Sequence, residues 1–343
     1  MNHVNTTKHH GDPDNVFSEI GPMKEIAIII PHKTLISSLE DTRHMFSRVN
    51  EHLQQQGRKI LFNIKLVGLT REVNLGNGLY VVKADAVIEE VMKPDLIIIP
   101  SINEEIIPLL TFNLRFNPWI IQNYLQGCEV ASLCTGSFLL ASTGLLKEHQ
   151  CATHWRYANE FRAYFPDVKL VDDKIITERN GIYTSGGSTS YWNLLLHLVE
   201  KHTDKETAIW ASKYFSLDIS RNSQSQFSIF YGQKKHSDSE VLNIQEYIEM
   251  NYAEKLTVET LASRVNMGRR TFERRFRKAT NNSVIEYCQR VKVEVAKKQL
   301  EVGRKTVNEV MHDVGYGDIN AFREVFYKIT GVTPVEYRQK YNR

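Results

Sequence analysis

Two groups of residues in this chain have types and spacings that suit chemistry. The first centres on a cysteine. EVASL at 129–133 reads as a strand that runs into Cys134 and then at once into the helical TGSFLLA. A nucleophile set between a strand and a helix is the layout of a nucleophile elbow, in which Gly136 permits the tight turn and the helix amino terminus favours thiolate. His154, in the ATHW that follows, is a base for such a thiol. The plain alternatives are a small buried cysteine and a histidine that starts a helix. The second group is GRRTFERRFRK at 268–278, with six basic residues against one acid. Helical spacing puts Phe272, Phe276 and Ala279 on one face and Arg270, Arg274, Arg277 and Lys278 around the other. The aromatic face docks, and the arginine face is left to grip base edges or phosphates, which the rigid guanidinium fork suits. Its plain alternative is a solvated helix surface.

The elements that must hold these groups alternate in type. EIAIII at 25–30 and ILFNIKLVGL at 60–69 are β-rich, and between them Leu39, Phe46, Val49 and Leu53 recur at helical spacing. PDLIIIP at 94–100 reads as a fully buried strand, and Asn117 and Pro118 as the cap and first turn of the helix WIIQNYLQ. A strand pair follows near 168–184, then helices over 189–202 and 204–216. Strands alternating with helices predict an α/β domain with a mainly parallel sheet covered on both faces. The polar GQKKHSDSE at 232–240 reads as a linker, beyond which the pattern is helical throughout.

Composition narrows the class. The 343 residues, 42% apolar and 24% charged, suit two or three folded domains. No apolar run approaches the roughly 20 residues of a membrane span, so no membrane partner is expected. Residues 1–22 contain no signal-like apolar core and read as a disordered tail. The four cysteines lack CxxC spacing and disulfide-scaffold density, which predicts a reducing, cytoplasmic setting with no metal and no cofactor. The net charge of +3 conceals an asymmetry: residues 237–343 hold 19 basic against 15 acidic residues, the remainder 24 against 25. A polyanionic partner for the carboxy-terminal part follows.

That part also repeats. At an offset of fifty residues Phe272, Phe276, Lys278, Thr280, Glu286 and Tyr287 match Phe322, Phe326, Lys328, Thr330, Glu336 and Tyr337. Each copy reads as a short helix (258–265; 307–314), a glycine-bearing turn (Gly268; Gly315 and Gly317) and a second helix, the helix-turn-helix pattern, with 284–300 as a long joining helix.

On LTVETLASRVNMGRRTFERRFRKAT and VGYGDINAFREVFYKITGVTPVEYRQKY, residues 240 to 341 resemble the AraC family of bacterial transcriptional regulators. The resemblance implies an all-α domain of two helix-turn-helix units (241–343) that binds double-stranded promoter DNA, with RNA polymerase as a further partner if it activates. It implies contacts from Arg269, Arg270, Arg274, Arg277 and Lys278 in the first unit and from Asn320, Arg323, Tyr327 and Lys328 in the second. The chain departs from the pattern at Gly268, where a capping serine is usual, and at Val284, which stands opposite Pro334. Asn320, Glu324 and Tyr327 stand opposite Arg270, Arg274 and Arg277, so the second reading helix is the less basic.

On ASLCTGSFLLASTGLLKEHQCATHW, PDLIIIP, TSGGSTSYWNLLLHLVEKH and WASKYFSLDISRNSQSQF, residues 24 to 231 resemble the class I glutamine-amidotransferase-like superfamily, PfpI branch, in the GlxA-type form fused to an AraC-type domain. This implies a flavodoxin-like fold, a homodimer, and a sensor domain (23–231) whose pocket for a small nitrogenous effector is lined by Cys134, Thr135, His154 and Trp155. Trp155, Trp119 and Trp192 together would make a cage for a cationic ligand. Ser37 stands where this type commonly has aspartate, and Asn193 replaces a second one; Glu40 and Asp41 are the nearest other acids. Cys134 and His154 are therefore read as a vestigial pair, and the chain as a regulator. The alternative is a Cys-dependent amidase, peptidase or glyoxalase-like enzyme with an appended DNA-binding domain.

Overall fold

The computed structural model describes residues 22–103, 106–219 and 223–342, without the side chains of 106–109. The expected disordered tail lies outside these residues but for Pro22. The amino-terminal half carries strands β1 (Lys24–Ile29), β2 (Phe62–Gly68), β3 (Glu72–Leu75), β4 (Tyr80–Lys83), β5 (Ala86–Val87), β6 (Leu96–Ile99), β7 (Glu129–Ser132), β8 (Gln150–Cys151), β9 (Lys169–Leu170), β10 (Ile176–Arg179) and β11 (Ile182–Ser185). Its helices are α1 (Ile36–Gln55), α2 (Ile106–Asn113), α3 (Asn117–Leu125), α4 (Ser137–Ser142), α5 (Ala158–Tyr164), α6 (Tyr191–His202) and α7 (Lys205–Tyr214).

Seven strands form one sheet in the order β10–β11–β7–β6–β1–β2–β5. All pairings are parallel except that of β10 with β11, a hairpin closed by Asn180 and Gly181, both left-handed, as a type I′ turn demands. The uninterrupted apolar runs of β1 and β6 are explained by burial on both sides. Leu39, Phe46, Leu194 and Leu198 of α1 and α6 pack on one face, and Ile120, Phe138 and Phe161 of α3, α4 and α5 on the other. The order reverses between β1 and β6, and a doubly wound sheet opens its binding crevice at the carboxyl ends of such strands.

Two local expectations change. Asn117 is the first helical residue of α3 and not its cap, because the turn Leu114–Phe116 already leads into the helix; its side chain donates to the Ser142 hydroxyl instead (3.0 Å). The ribbon β3–β4, which lies outside the seven-stranded sheet, has no counterpart in the sequence reading.

The carboxy-terminal half contains α8 (Ser239–Met250), α9 (Val258–Arg264), α10 (Arg269–Thr280), α11 (Val284–Val302), α12 (Val307–Asp313), α13 (Ile319–Thr330) and α14 (Pro334–Tyr341). The repeat is structural: Phe272 and Phe276 of α10 pack with Tyr287 edge-on at 5.3 Å from Phe276, and Phe322 and Phe326 of α13 pack with Tyr337 at 5.6 Å from Phe326. The turns are less alike than their glycines suggested. In the first unit Asn266, not Gly268, takes the left-handed conformation, while Gly268 is an N-cap without a side chain to cap with. In the second, Gly315 is left-handed, and a Cβ there would stand 2.0 Å from the Ala253 carbonyl oxygen.

The segment read as a linker, 232–240, and the residues just before it are fastened to the helices. Lys297 Nζ donates to the Ser228 carbonyl (2.6 Å), Phe230 packs edge-on to Tyr287 (5.1 Å), and Gln245 donates to the Gln233 carbonyl (3.1 Å). The polar groups of 228–236 instead supply partners for buried polar groups of α8 and α11.

Candidate elbow site and nucleic-acid interface

Cys134 follows β7 after one residue, Leu133, and has φ of 55°, left-handed for a residue with a side chain. Such backbone costs on the order of 1–3 kcal/mol and persists only where neighbours enforce it. They do so here. The Cys134 N–H donates to Ser185 Oγ (3.1 Å), and Ser137 Oγ donates to the Cys134 carbonyl (3.0 Å). Gly136 serves the elbow in a different way from the one expected: its own φ is −57°, but a Cβ there would meet the carbonyl oxygens of Pro100 and Ile99 at 2.5 and 2.6 Å. Close approach to the end of β6, not turn conformation, requires glycine.

The thiol is 4% exposed. Burial pushes it above the usual thiol range and outweighs hydrogen bonding to Ser101, to the Ser188 N–H and to Thr135. The thiolate expected from the helix terminus is therefore not the resting form. His154 is lowered, first by burial and then by the Arg156 charge. Its Nδ1 accepts from the Arg156 N–H (3.1 Å), which places the neutral ring's proton on Nε2. Among the described residues no hydrogen bond joins His154 to Cys134. The other expected pocket residues divide. Thr135 is buried with its hydroxyl committed to Ser101 Oγ (2.8 Å) and to the Ile102 N–H (2.9 Å) and carbonyl (2.7 Å), so it clamps the loop after β6. Trp155 is half-buried and tilted against His154 at 5.3 Å. The tryptophan cage does not form: Trp119 is buried on the α3 face with Nε1 donating to the Val91 carbonyl, whereas Trp192 packs with the opposite core against Phe215.

The acids near the elbow are also placed. Glu40 points outward to Arg43, and Asn193 donates to the Asp218 carbonyl (2.9 Å). Asp41 accepts the hydroxyl of Tyr191, which also bonds to Ser37. Burial first, and Asp41 second, hold that phenol far above its ordinary range. Sequence reasoning missed Tyr191, Ser101 and Ser188. Beside them, at the carboxyl ends of β1 and β6, a cavity of about 150 Å³ is lined by Lys33, Leu35, Asn77, Tyr80 and Asn103. Leu35 shares a wall with the elbow, its N–H donating to the Ser101 carbonyl (2.8 Å).

In the helical half, Arg270, Arg274, Arg277 and Lys278 of α10 are exposed together. Arg269 is exposed too, but it is ion-paired to Glu259 and, at 3.5 Å, to Glu273. Arg275 grips Asp238, the N-cap of α8, through two bonds of 2.9 and 2.7 Å and is a structural arginine. A groove of about 330 Å³ runs along Arg274 and Arg277 to Ser283 and Ile285 at the start of α11. On α13, Asn320, Arg323, Glu324, Tyr327 and Lys328 are exposed, and Asp318 caps the helix by accepting from the Ala321 N–H (2.7 Å). Both helices thus seat a pair of buried phenylalanines and present an unobstructed polar face, as a groove-reading helix must.

Residues 51–201 match the DJ-1/PfpI family model, and residues 261–340 match a model described as a helix-turn-helix domain. The HTH-type transcriptional regulator GbdR of Pseudomonas aeruginosa is 28% identical over 218 residues, 62% of this chain and 58% of that protein. A regulator of the same type encoded in the cgkA 5′ region of Pseudoalteromonas carrageenovora is 31% identical over 38% of this chain and 75% of that protein. The chain spans less than two thirds of the length of the first of these relatives. A solved structure from Vibrio parahaemolyticus, described as a candidate transcriptional regulator, shares the fold of the amino-terminal half: TM-score 0.51, 21% identity, 56% of this chain and 99% of that one. No helix among the described residues is long and apolar enough to cross a membrane.

Proposed function

Because the chain belongs to the AraC-type helix-turn-helix regulators that carry an amino-terminal DJ-1/PfpI domain, we propose that it binds promoter DNA sequence-specifically and senses a small, nitrogenous effector at the elbow. The observation that carries this reading is the pair α10 and α13, two exposed polar helices on matching aromatic seats, joined by α11. On this reading Arg270, Arg274, Arg277 and Lys278 make the main contacts, with Arg269 released from Glu259 to join them; Asn320, Arg323, Tyr327 and Lys328 add a second, less basic set. On the same reading the effector enters by the crevice at Lys33 and Asn103 and meets Cys134, His154 and Trp155. The protein acts in the cytoplasm as a homodimer, and as an activator it also meets RNA polymerase.

A buried neutral thiol, a histidine with no hydrogen bond to it among the described residues and an acid engaged by a phenol favour binding over turnover at the elbow. Selection of bound fragments from the native genome, followed by thermal-shift screening of metabolites, tests the reading. Failure to enrich any sequence above a random pool would sink the regulator, and a metabolite that melts with the protein but is consumed would promote the enzyme.

A further inference from the structure

Gln224 lies in a polar stretch of the chain and yet is 1% exposed. Its amide is used on every side. Oε1 accepts from the Gly187 N–H (2.8 Å), and Nε2 donates to the carbonyls of Thr153 (2.9 Å) and Lys174 (3.2 Å). Its own N–H donates to the Asp173 carbonyl (2.9 Å). A Cβ at Gly186 would come within 2.8 Å of the Gln224 amide, and one at Gly187 within 2.8 Å of the His154 ring. The two glycines are what allow Gln224 and His154 to pinch this loop from either side. The next residue, Ser188, turns its N–H to the Cys134 thiol. Gln224 therefore bonds both loops that bracket the elbow, 151–154 and 186–188.

The other side of the same short stretch belongs to the helical half. Gln226 Oε1 accepts from Lys340 Nζ of α14 (2.7 Å), and its carbonyl accepts from the Tyr341 hydroxyl (3.5 Å). Phe227 lies under the Lys340 ammonium at 5.1 Å. Ser223 faces Gly331, the left-handed residue that ends α13. Five consecutive residues thus tie the elbow loops to the end of the second reading helix and to the helix after it.

Resting on the reading of the elbow as the sensory site, we infer that Gln224 couples occupancy of the elbow to the seating of the second helix-turn-helix unit on DNA. An occupant beside Cys134 must displace Ser188 and with it Gly187. Gln224 holds Gly187 through Oε1 and has both its amide hydrogens engaged, so the movement either draws the strap or breaks its amide bonds, and in both cases α14 loses the position Gln226 gives it. The coupling is reciprocal: DNA bound to α13 must in turn change how readily the loops over Cys134 open.

Reciprocity allows a test in the full chain without the effector. The probe is iodoacetamide, with the alkylation rate of Cys134 read by peptide mass spectrometry, since modification of a buried thiol reports the opening of the loops above it. The rate is measured with and without a saturating duplex that the protein itself has selected from a random pool. The wild-type rate is expected to change about five-fold or more, and the change to fall below about two-fold in Gln224→Ala and in Gln226→Ala. Gln226→Ala leaves the buried bonds of Gln224 in place, so its result stands even if Gln224→Ala does not fold. An equal response in wild type and Gln226→Ala, or no response in a wild type that binds the duplex, overturns the coupling and leaves the DNA-binding reading intact. A chain that binds no duplex overturns both.

Discussion

The hydroxyl of Tyr191 donates to the carboxylate of Asp41, joining the start of α6 to the first turns of α1 behind the Cys134 thiol. Asp41 follows Ser37 by one helical turn on α1. It reaches the elbow region, but it holds a phenol and not an imidazole. Among the described residues no hydrogen bond joins this acid to His154, so nothing there orients the imidazole for proton transfer.

Purified protein is therefore expected to show no Cys134-dependent turnover of amides, peptides or dicarbonyls, and Asp41→Asn to leave that background unchanged. Cys134→Ala should shift effector affinity without abolishing the transcriptional response. Turnover above background that disappears in Cys134→Ala would falsify this.

On DNA, Arg270→Ala or Arg274→Ala should each cost about 1–3 kcal/mol with relaxed preference at one base pair. Arg269→Ala should cost less, because Glu259 and Glu273 compete for its guanidinium. Band-shift titrations against the selected site and single-base variants check the ranking; equal losses at 269, 270 and 274 would refute it.

Glu324 is exposed on α13 and makes no ion pair among the described residues. Glu324→Arg should raise affinity for random duplex and steepen the salt dependence of log K by about 0.9 for the phosphate gained. A fluorescence-anisotropy titration over a salt series reads the slope directly, and an unchanged slope counts against α13 lying in a groove.

A helical fragment starting at 226 should bind two major-groove segments about one turn apart, 34 Å, as paired reading helices require. One starting at 240 discards Phe230 and leaves Lys297 without the Ser228 carbonyl. Lys297 keeps its ion pair with Glu294 (2.9 Å), but losing a hydrogen bond to a charged group costs on the order of 1.5–3 kcal/mol, so this fragment should melt at least about 4 °C lower. Equal melting by calorimetry would mean that the strap adds nothing to the helices.

At the amino end of β7, burial alone would raise the Glu129 carboxyl, but His202, Lys201 and Tyr183 surround it and hold it at about 2. A depressed carboxyl contributes stability that is complete above its unfolded value, near 4.3, and is lost as pH falls through the folded one. Denaturant midpoints of wild type should fall between about pH 4.5 and 2 more steeply than those of Glu129→Gln. Parallel curves would place the acid sensitivity elsewhere.

What the sequence revealed was local. The periodicity of α1, the strand-to-helix step at Cys134 and the fifty-residue repeat each lie within one stretch of chain, where spacing speaks for itself. What it hid depends on partners far apart. Helical spacing already keeps Arg275 off the free face, but its partner Asp238 lies 37 residues away, and Tyr191 meets Asp41 across 150. The thiol's ionisation was misjudged for the same reason: the helix terminus is visible in sequence, and the burial that outweighs it is not.

The strap leaves the chain without a clean seam. A recombinant joined at 240 would keep a stretch fitted to its own α14 while receiving a foreign one, and a recombinant joined at 222 would leave Gly187 and the Thr153 carbonyl facing another protein's residue in place of Gln224. Exchange of helical halves between relatives must therefore carry 223–238 together with the surface of 151–188 that receives it. Lineages that shuffled these halves would have had to inherit the junction as a unit.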